Sequence, residues 1–184
     1  MTNRAVVICS KSREALEWLA VNPHIKIIHN TRNLLDVAIS RYKHGLHNGK
    51  LSSHCQDDEC AANVTMSQIS MPVDTVLGSL TTLDHGRAYV TRQLDAFKVP
   101  RVDVKYEKLY YAPSAQEWQR IFQFLGVGPT HNLTMADVEQ HMHFVATHPP
   151  LRYQTLANYE EVADSLRGTE WEHLLRPVWE EALL

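Results

Sequence analysis

A chain of 184 residues, 44% apolar and 21% charged, has the length and composition of one globular domain with a single sizeable core. Its longest apolar run, Ala5–Cys9, is too short for the ~20 residues that span a bilayer or the ~7–15 of a secretion signal's apolar region. The net charge of −3 excludes nucleic-acid binding by bulk electrostatics, but residues 1–50 carry eight Lys and Arg against three acids, so +5 lies there and −8 in the rest. That asymmetry points either to a local anion site or to a solvated basic face.

Ala5–Cys9 reads as a buried strand, and residues 13–20 as a helix that ends at Asn22-Pro23. Residues 25–28 predict a second strand. Leu34 to Tyr42 predicts a helix with Leu35, Ile39 and Tyr42 on one side. Strand–helix–strand–helix is the alternation of a parallel sheet with helices on its faces. Residues 45–72 lack periodicity and read as a long loop. Helical spacing returns from Val73 to Phe97, weakened by Gly78 and Gly86, and Val102, Val104 and Tyr106 alternate as a third strand. Ser114 and Glu117 form a capping box for a helix that buries Trp118, Ile121, Phe122 and Leu125 and stops at Gly126. A last helix is expected from Ala157 to Leu166, with Gly168 as its stop. No internal repeat divides the chain.

The segment His24–Tyr42 carries the clearest chemistry. A strand stops at Arg32, and a helix follows with Asn33 as its expected N-cap. The turn from strand to helix N-terminus gathers free N–H groups and positive helix dipole, which attract phosphate. Eight residues on, Ser40 offers a hydroxyl from the same helix. An arginine fork and a directional hydroxyl suit a terminal phosphomonoester. On spacing alone, an amphipathic helix with an exposed Arg and a stray Ser is the competing reading.

Arg32-Asn33, Asp36, Val37-Ala38, Ser40 and Arg41-Tyr42, in that order after a strand, resemble the 3′-phosphate-binding segment of sulfotransferases that use 3′-phosphoadenosine-5′-phosphosulfate. Three further stretches are similar to the family in the family's order. They are Val102-Asp-Val-Lys-Tyr-Glu-Lys-Leu109, the helix closing Ile121-Phe-Gln-Phe-Leu-Gly126, and Ala157-Asn-Tyr-Glu-Glu-Val162 with Leu166-Arg-Gly-Thr169. The last resembles sulfotransferase domains of algal and related lineages. Together the matches run from about residue 5 to residue 176.

The resemblance implies that Arg32 and Ser40 hold the 3′-phosphate of the donor and that Tyr106 lies by its adenine. A core tyrosine at a strand end is the plainer reading of Tyr106. Glu107 is expected to orient neighbours. Lys11, before Ser12, looks like the lysine that follows a strand in glycan sulfotransferases, and there it would stabilise charge on the transferring group. His24 and His29 flank or end a strand and read as structural.

Two departures from the family pattern stand out. Leu34 replaces the proline that commonly follows Arg-Asn, at a small cost in helix preorganisation. Nothing resembles the Gly-rich 5′-phosphosulfate loop, and Met1 lies almost at the family's next strand. The resemblance thus implies an N-terminally incomplete domain that grips one end of the donor and activates the other poorly.

His44, His47, His54, Cys55 and Cys60 lie within seventeen residues and offer a rival reading as a zinc-binding interaction module. The C-x₄-C spacing is loose for zinc, and a Cys55–Cys60 disulfide with Cys9 as a buried thiol is an alternative. The sequons at Asn63 and Asn132 fit a lumenal protein, and with the disulfide they tip localisation toward the Golgi.

The expectation is a single partial sulfotransferase domain over residues 1–184. Its fold would be three-layer α/β/α with a central parallel sheet, of the P-loop nucleoside-kinase-like type. The donor would be 3′-phosphoadenosine-5′-phosphosulfate, no metal is expected, and a hydroxyl or amine of a small-molecule or glycan acceptor would receive the group. Catalysis would rest on positioning and charge stabilisation, as in phosphoryl transfer. A catalytically inactive fragment is the other alternative.

Overall fold

A computed structural model describes residues 13–22, 24–46, 68–110, 115–126, 133–141, 152 and 155–177. Its elements are α1 (Arg13–Ala20), β1 (Ile27–Thr31), α2 (Leu34–Leu46), α3 (Val73–Ala96), β2 (Arg101–Lys105), α4 (Tyr106–Tyr110), α5 (Ala115–Leu125), α6 (Met135–His141), α7 (Tyr159–Leu166) and a 3₁₀ turn at Glu172–Leu175. The fold is mixed α/β. The expected strand at residues 5–9 lies outside the described residues, as does most of the expected loop at 45–72.

β1 and β2 pair in parallel, with Ile27 opposite Arg101 and Thr31 opposite Lys105. β1 therefore starts two residues later than its apolar run suggests and continues through His29, Asn30 and Thr31. Ladder hydrogen bonds hold these polar residues extended regardless of their modest strand propensity. Helices contact both faces of this pair. Ile27 packs with Leu19, Leu94 and Val99 on one face, while Val102 and Val104 pack with Ile121 on the other.

The largest core lies beside the sheet. Leu35 and Ile39 of α2, Val76 and Leu80 of α3 and Val162 and Leu166 of α7 meet there, with Tyr42 packed against them. Each fully buried side chain of this kind contributes roughly 1.5–3 kcal/mol. The stretch before α3 is tied to the one before α7 by a parallel bridge between Ile69 and Leu156. Asn158 completes that tie, since its amide accepts from the Met71 N–H and donates to the Met71 carbonyl, both at 3.0 Å. α7 starts at Tyr159, two residues later than expected, because Asn158 and Ala157 are used in this tie.

α2 runs one turn beyond Tyr42, taking in Gly45 and Leu46. α3 spans 24 residues without a break at Gly78 or Gly86. Gly126 ends α5 at φ 72°, and Gly168 follows α7 at φ 73°, both in the left-handed region that glycine tolerates. Lys26 donates to the Phe124 carbonyl at 2.5 Å, satisfying one of the free acceptors at the end of α5. Ser114 lies outside the described residues, and the carboxylate of Glu117 is held by Arg120 at 2.5 and 3.0 Å.

The third predicted strand includes Tyr106, but β2 ends at Lys105 and Tyr106 opens α4. Alternation alone could not mark that boundary. Glu107 and Leu109, two apart, are both buried on a short helix that turns over the strand end.

Candidate functional site

The site forms where β1 and β2 end side by side. The Thr31 hydroxyl donates to the Val104 carbonyl at 3.1 Å, fixing the two strand ends together. Asn33 then organises the turn. Its side-chain oxygen accepts from the N–H groups of Leu35 (2.9 Å) and Asp36 (3.4 Å), which makes it the N-cap of α2 as its residue type predicts. Its side-chain amide donates to the Leu174 carbonyl at 3.1 Å, and its backbone N–H donates to Glu107 at 2.9 Å. Glu107, 2% exposed, therefore orients the turn, as expected.

Between these fixed points Arg32 lies over the Tyr106 ring, with its guanidinium carbon 4.4 Å from the ring centroid. The Arg32 Nε is buried and, among the described residues, has no hydrogen-bond partner. A cavity of about 220 Å³ opens at this arginine. Among the described residues lining it, Arg32, Arg87, Lys105 and Arg176 are cationic, His173 adds an imidazole, and Glu107 is the single acid. Arg87 also pairs with Asp84 at 2.8 Å. The excess of positive charge around an unpartnered donor suits an anion with several oxygens, such as a phosphate or sulfate ester.

Burial pushes the Tyr106 phenol above its ordinary pKa, with the nearby Arg32 charge working against that shift. Burial raises Tyr110 as well. Both rings are thus neutral at physiological pH.

The structure brings Arg32 and Tyr106 together. Ser40 sits half-buried on α2, about two helical turns further on, and is not among the residues lining the cavity. Lys11 lies outside the described residues, as do His47, His54, Cys55, Cys60, Asn63 and Asn132. His29 is structural: its Nδ1 lies 2.7 Å from an Asp103 oxygen across the strand pair. Burial would raise the Asp103 carboxyl, but hydrogen bonds from His29 and Arg101 hold it below its usual range. His24 is exposed in the turn before β1.

Sequence reasoning missed Arg87, Lys105, His173 and Arg176. Lys105 could have been found, since it immediately precedes Tyr106-Glu107. Arg87 stands in a helix with no motif around it. The last two arrive only because the chain's final described turn folds back onto α2. That return is fixed by Asn33 and by Arg152, which pairs with Asp36 at 2.6 Å and donates to the Arg176 carbonyl at 3.0 Å.

A family model described as a sulfotransferase domain matches residues 12–176, which takes in every element from α1 to the 3₁₀ turn. The chain belongs to the sulfotransferase family. Sulfotransferases are transferases that pass a sulfuryl group from a donor to an acceptor, and a cavity lined by cations at the strand ends accords with that chemistry. Family membership favours the transferase over the zinc-binding module. No curated protein and no solved structure matches the chain. Among the described residues, no helix is long and apolar enough to cross a membrane, and no three His, Cys, Asp or Glu side chains group to hold a metal.

Proposed function

We infer that this sulfotransferase domain takes its sulfuryl group from 3′-phosphoadenosine-5′-phosphosulfate and delivers it in line to a hydroxyl or amine, with carbohydrate as the favoured acceptor class. The observation that carries the donor assignment is Arg32, whose Nε is buried without a partner among the described residues, on a cavity rimmed by three further cations. A buried donor without a partner costs about 1–3 kcal/mol, and an anion bearing several oxygens removes that cost. The donor, when bound, supplies a sulfuryl group on a phosphate leaving group. Arg32 binds its 3′-phosphate and Tyr106 belongs to the donor side of the site, while a part for Ser40 at the same end rests on the sequence resemblance, since Ser40 does not line the cavity. Lys11 would meet charge on the transferring group. Its role, the carbohydrate acceptor and a Golgi setting rest on the sequence resemblance and the two sequons. The same resemblance supports further strands and a three-layer α/β/α arrangement around β1 and β2.

The reading is tested by incubating the full chain with the donor and a panel of glycan, phenol and amine acceptors, and measuring release of adenosine 3′,5′-bisphosphate. Acceptor-dependent release, greatest with a glycan, is expected. Release that no acceptor stimulates would contradict the assignment.

A further inference from the structure

Tyr106 has company on both sides. The Arg32 guanidinium stands over its ring at 4.4 Å, and the Tyr110 ring lies 4.4 Å away between centroids, tilted by 32°. Two groups that close to one ring centroid cannot share a face, so each takes its own. Tyr106 and Tyr110 are one helical turn apart on α4, and the helix backbone fixes their spacing. An incoming nucleobase has no open face of Tyr106 on which to stack. Tyr106 is also not among the residues lining the cavity, whereas Arg32 is.

A guanidinium stacked on an aromatic face keeps its N–H groups in the plane parallel to that face, free to bond outward. Here Arg32 lines the cavity, and its buried Nε has no partner among the described residues. We propose that Tyr106 is a positioning residue. Its ring, backed by Tyr110, holds the Arg32 guanidinium in the wall of the cavity that would take the donor's 3′-phosphate, and it acts on the donor through Arg32 and not by stacking on the base. This inference rests on the reading of Arg32 as the phosphate-binding arginine.

The test is a four-way cycle of calorimetric dissociation constants for adenosine 3′,5′-bisphosphate with the full chain, its Tyr106→Leu and Arg32→Ala variants, and the double variant. Tyr106→Leu is expected to weaken binding about three- to tenfold in the wild-type background, the range of a part-buried cation–π contact. In the Arg32→Ala background the same change should have no effect, because the group it positions is gone. Tyr106→Phe keeps the ring and should bind as the wild type does. Equal weakening by Tyr106→Leu in both backgrounds would overturn the proposal, since a base contact or a loss of packing acts without Arg32. So would weakening by Tyr106→Phe, which would give the hydroxyl a ligand contact of its own. Should Tyr106→Leu fail to fold, Tyr106→Met replaces it in the cycle and Tyr106→Phe still decides the hydroxyl. If Arg32→Ala itself binds normally, the underlying assignment of Arg32 fails instead.

Discussion

One asparagine does three separable jobs at the start of α2. The Asn33 side-chain oxygen caps the helix, its amide holds the Leu174 carbonyl, and its backbone N–H meets the buried Glu107. Arg32, the preceding residue, inherits its direction from these restraints as well as from the Tyr106 ring. Preorganisation of this kind lets a phosphate-binding arginine bind without first being immobilised. Replacing Asn33 by Ala removes the cap and leaves the buried Leu174 carbonyl without its donor, so a loss of about 2–3 kcal/mol is expected. Urea unfolding of the variant checks this, and a loss under about 0.5 kcal/mol would mean that neither contact matters to stability. A shorter residue with the same capping oxygen, such as Ser, should recover part of the loss.

At the scale of elements, α3 offers a clean check on propensity. Gly78 is exposed in its second turn, and an added methyl group there meets nothing within 4 Å. Gly78→Ala should therefore stabilise the fold by about 0.5–1 kcal/mol, read as a rise of about 1–4 °C in thermal midpoint. A fall would reveal contacts in this region that the described residues do not make. Both glycines of α3 weaken its helical signal, yet the helix is formed, because Val76 and Leu80 bury into the largest core and Leu94 into the smaller one beside β1.

Helices with a clear apolar stripe were legible for the same reason. α1, α2, α3 and α5 fall within a few residues of their sequence positions, and Asn33 and Gly126 stand as the cap and stop that their residue types indicate. Strand limits were less legible. β1 takes in His29 and Asn30 because a parallel partner, distant in sequence, supplies the hydrogen bonds. β2 yields to α4 at Tyr106 where alternation suggested more strand. Of the site, Arg32 and Tyr106 were visible as a motif, but their stacking was not, since Tyr106 lies 74 residues further along the chain.

Across the whole molecule, the cavity exists because four distant segments converge. The ends of β1 and β2 supply Arg32 and Lys105, α3 supplies Arg87, and the final turn brings His173 and Arg176. The Asp36–Arg152 pair, with side chains 10% and 7% exposed, secures that last segment to the first turn of α2. Loss of either partner would leave a buried charge uncompensated, which makes this pair a structural requirement of the site. The basic character of residues 1–50 gains a specific meaning here. Among the described residues, Arg32 is the one of their cations that lines the cavity, and it meets cations from elsewhere in an otherwise acidic chain.

The central claim is that Arg32 is a phosphate anchor for the sulfuryl donor. Calorimetric titration of the full chain and its Arg32→Ala variant with adenosine 3′,5′-bisphosphate measures it directly. A charge-assisted contact of about 1.5–3 kcal/mol should be lost, weakening binding by about 10- to 150-fold while the fold is retained. Equal affinity in the two proteins would contradict the account.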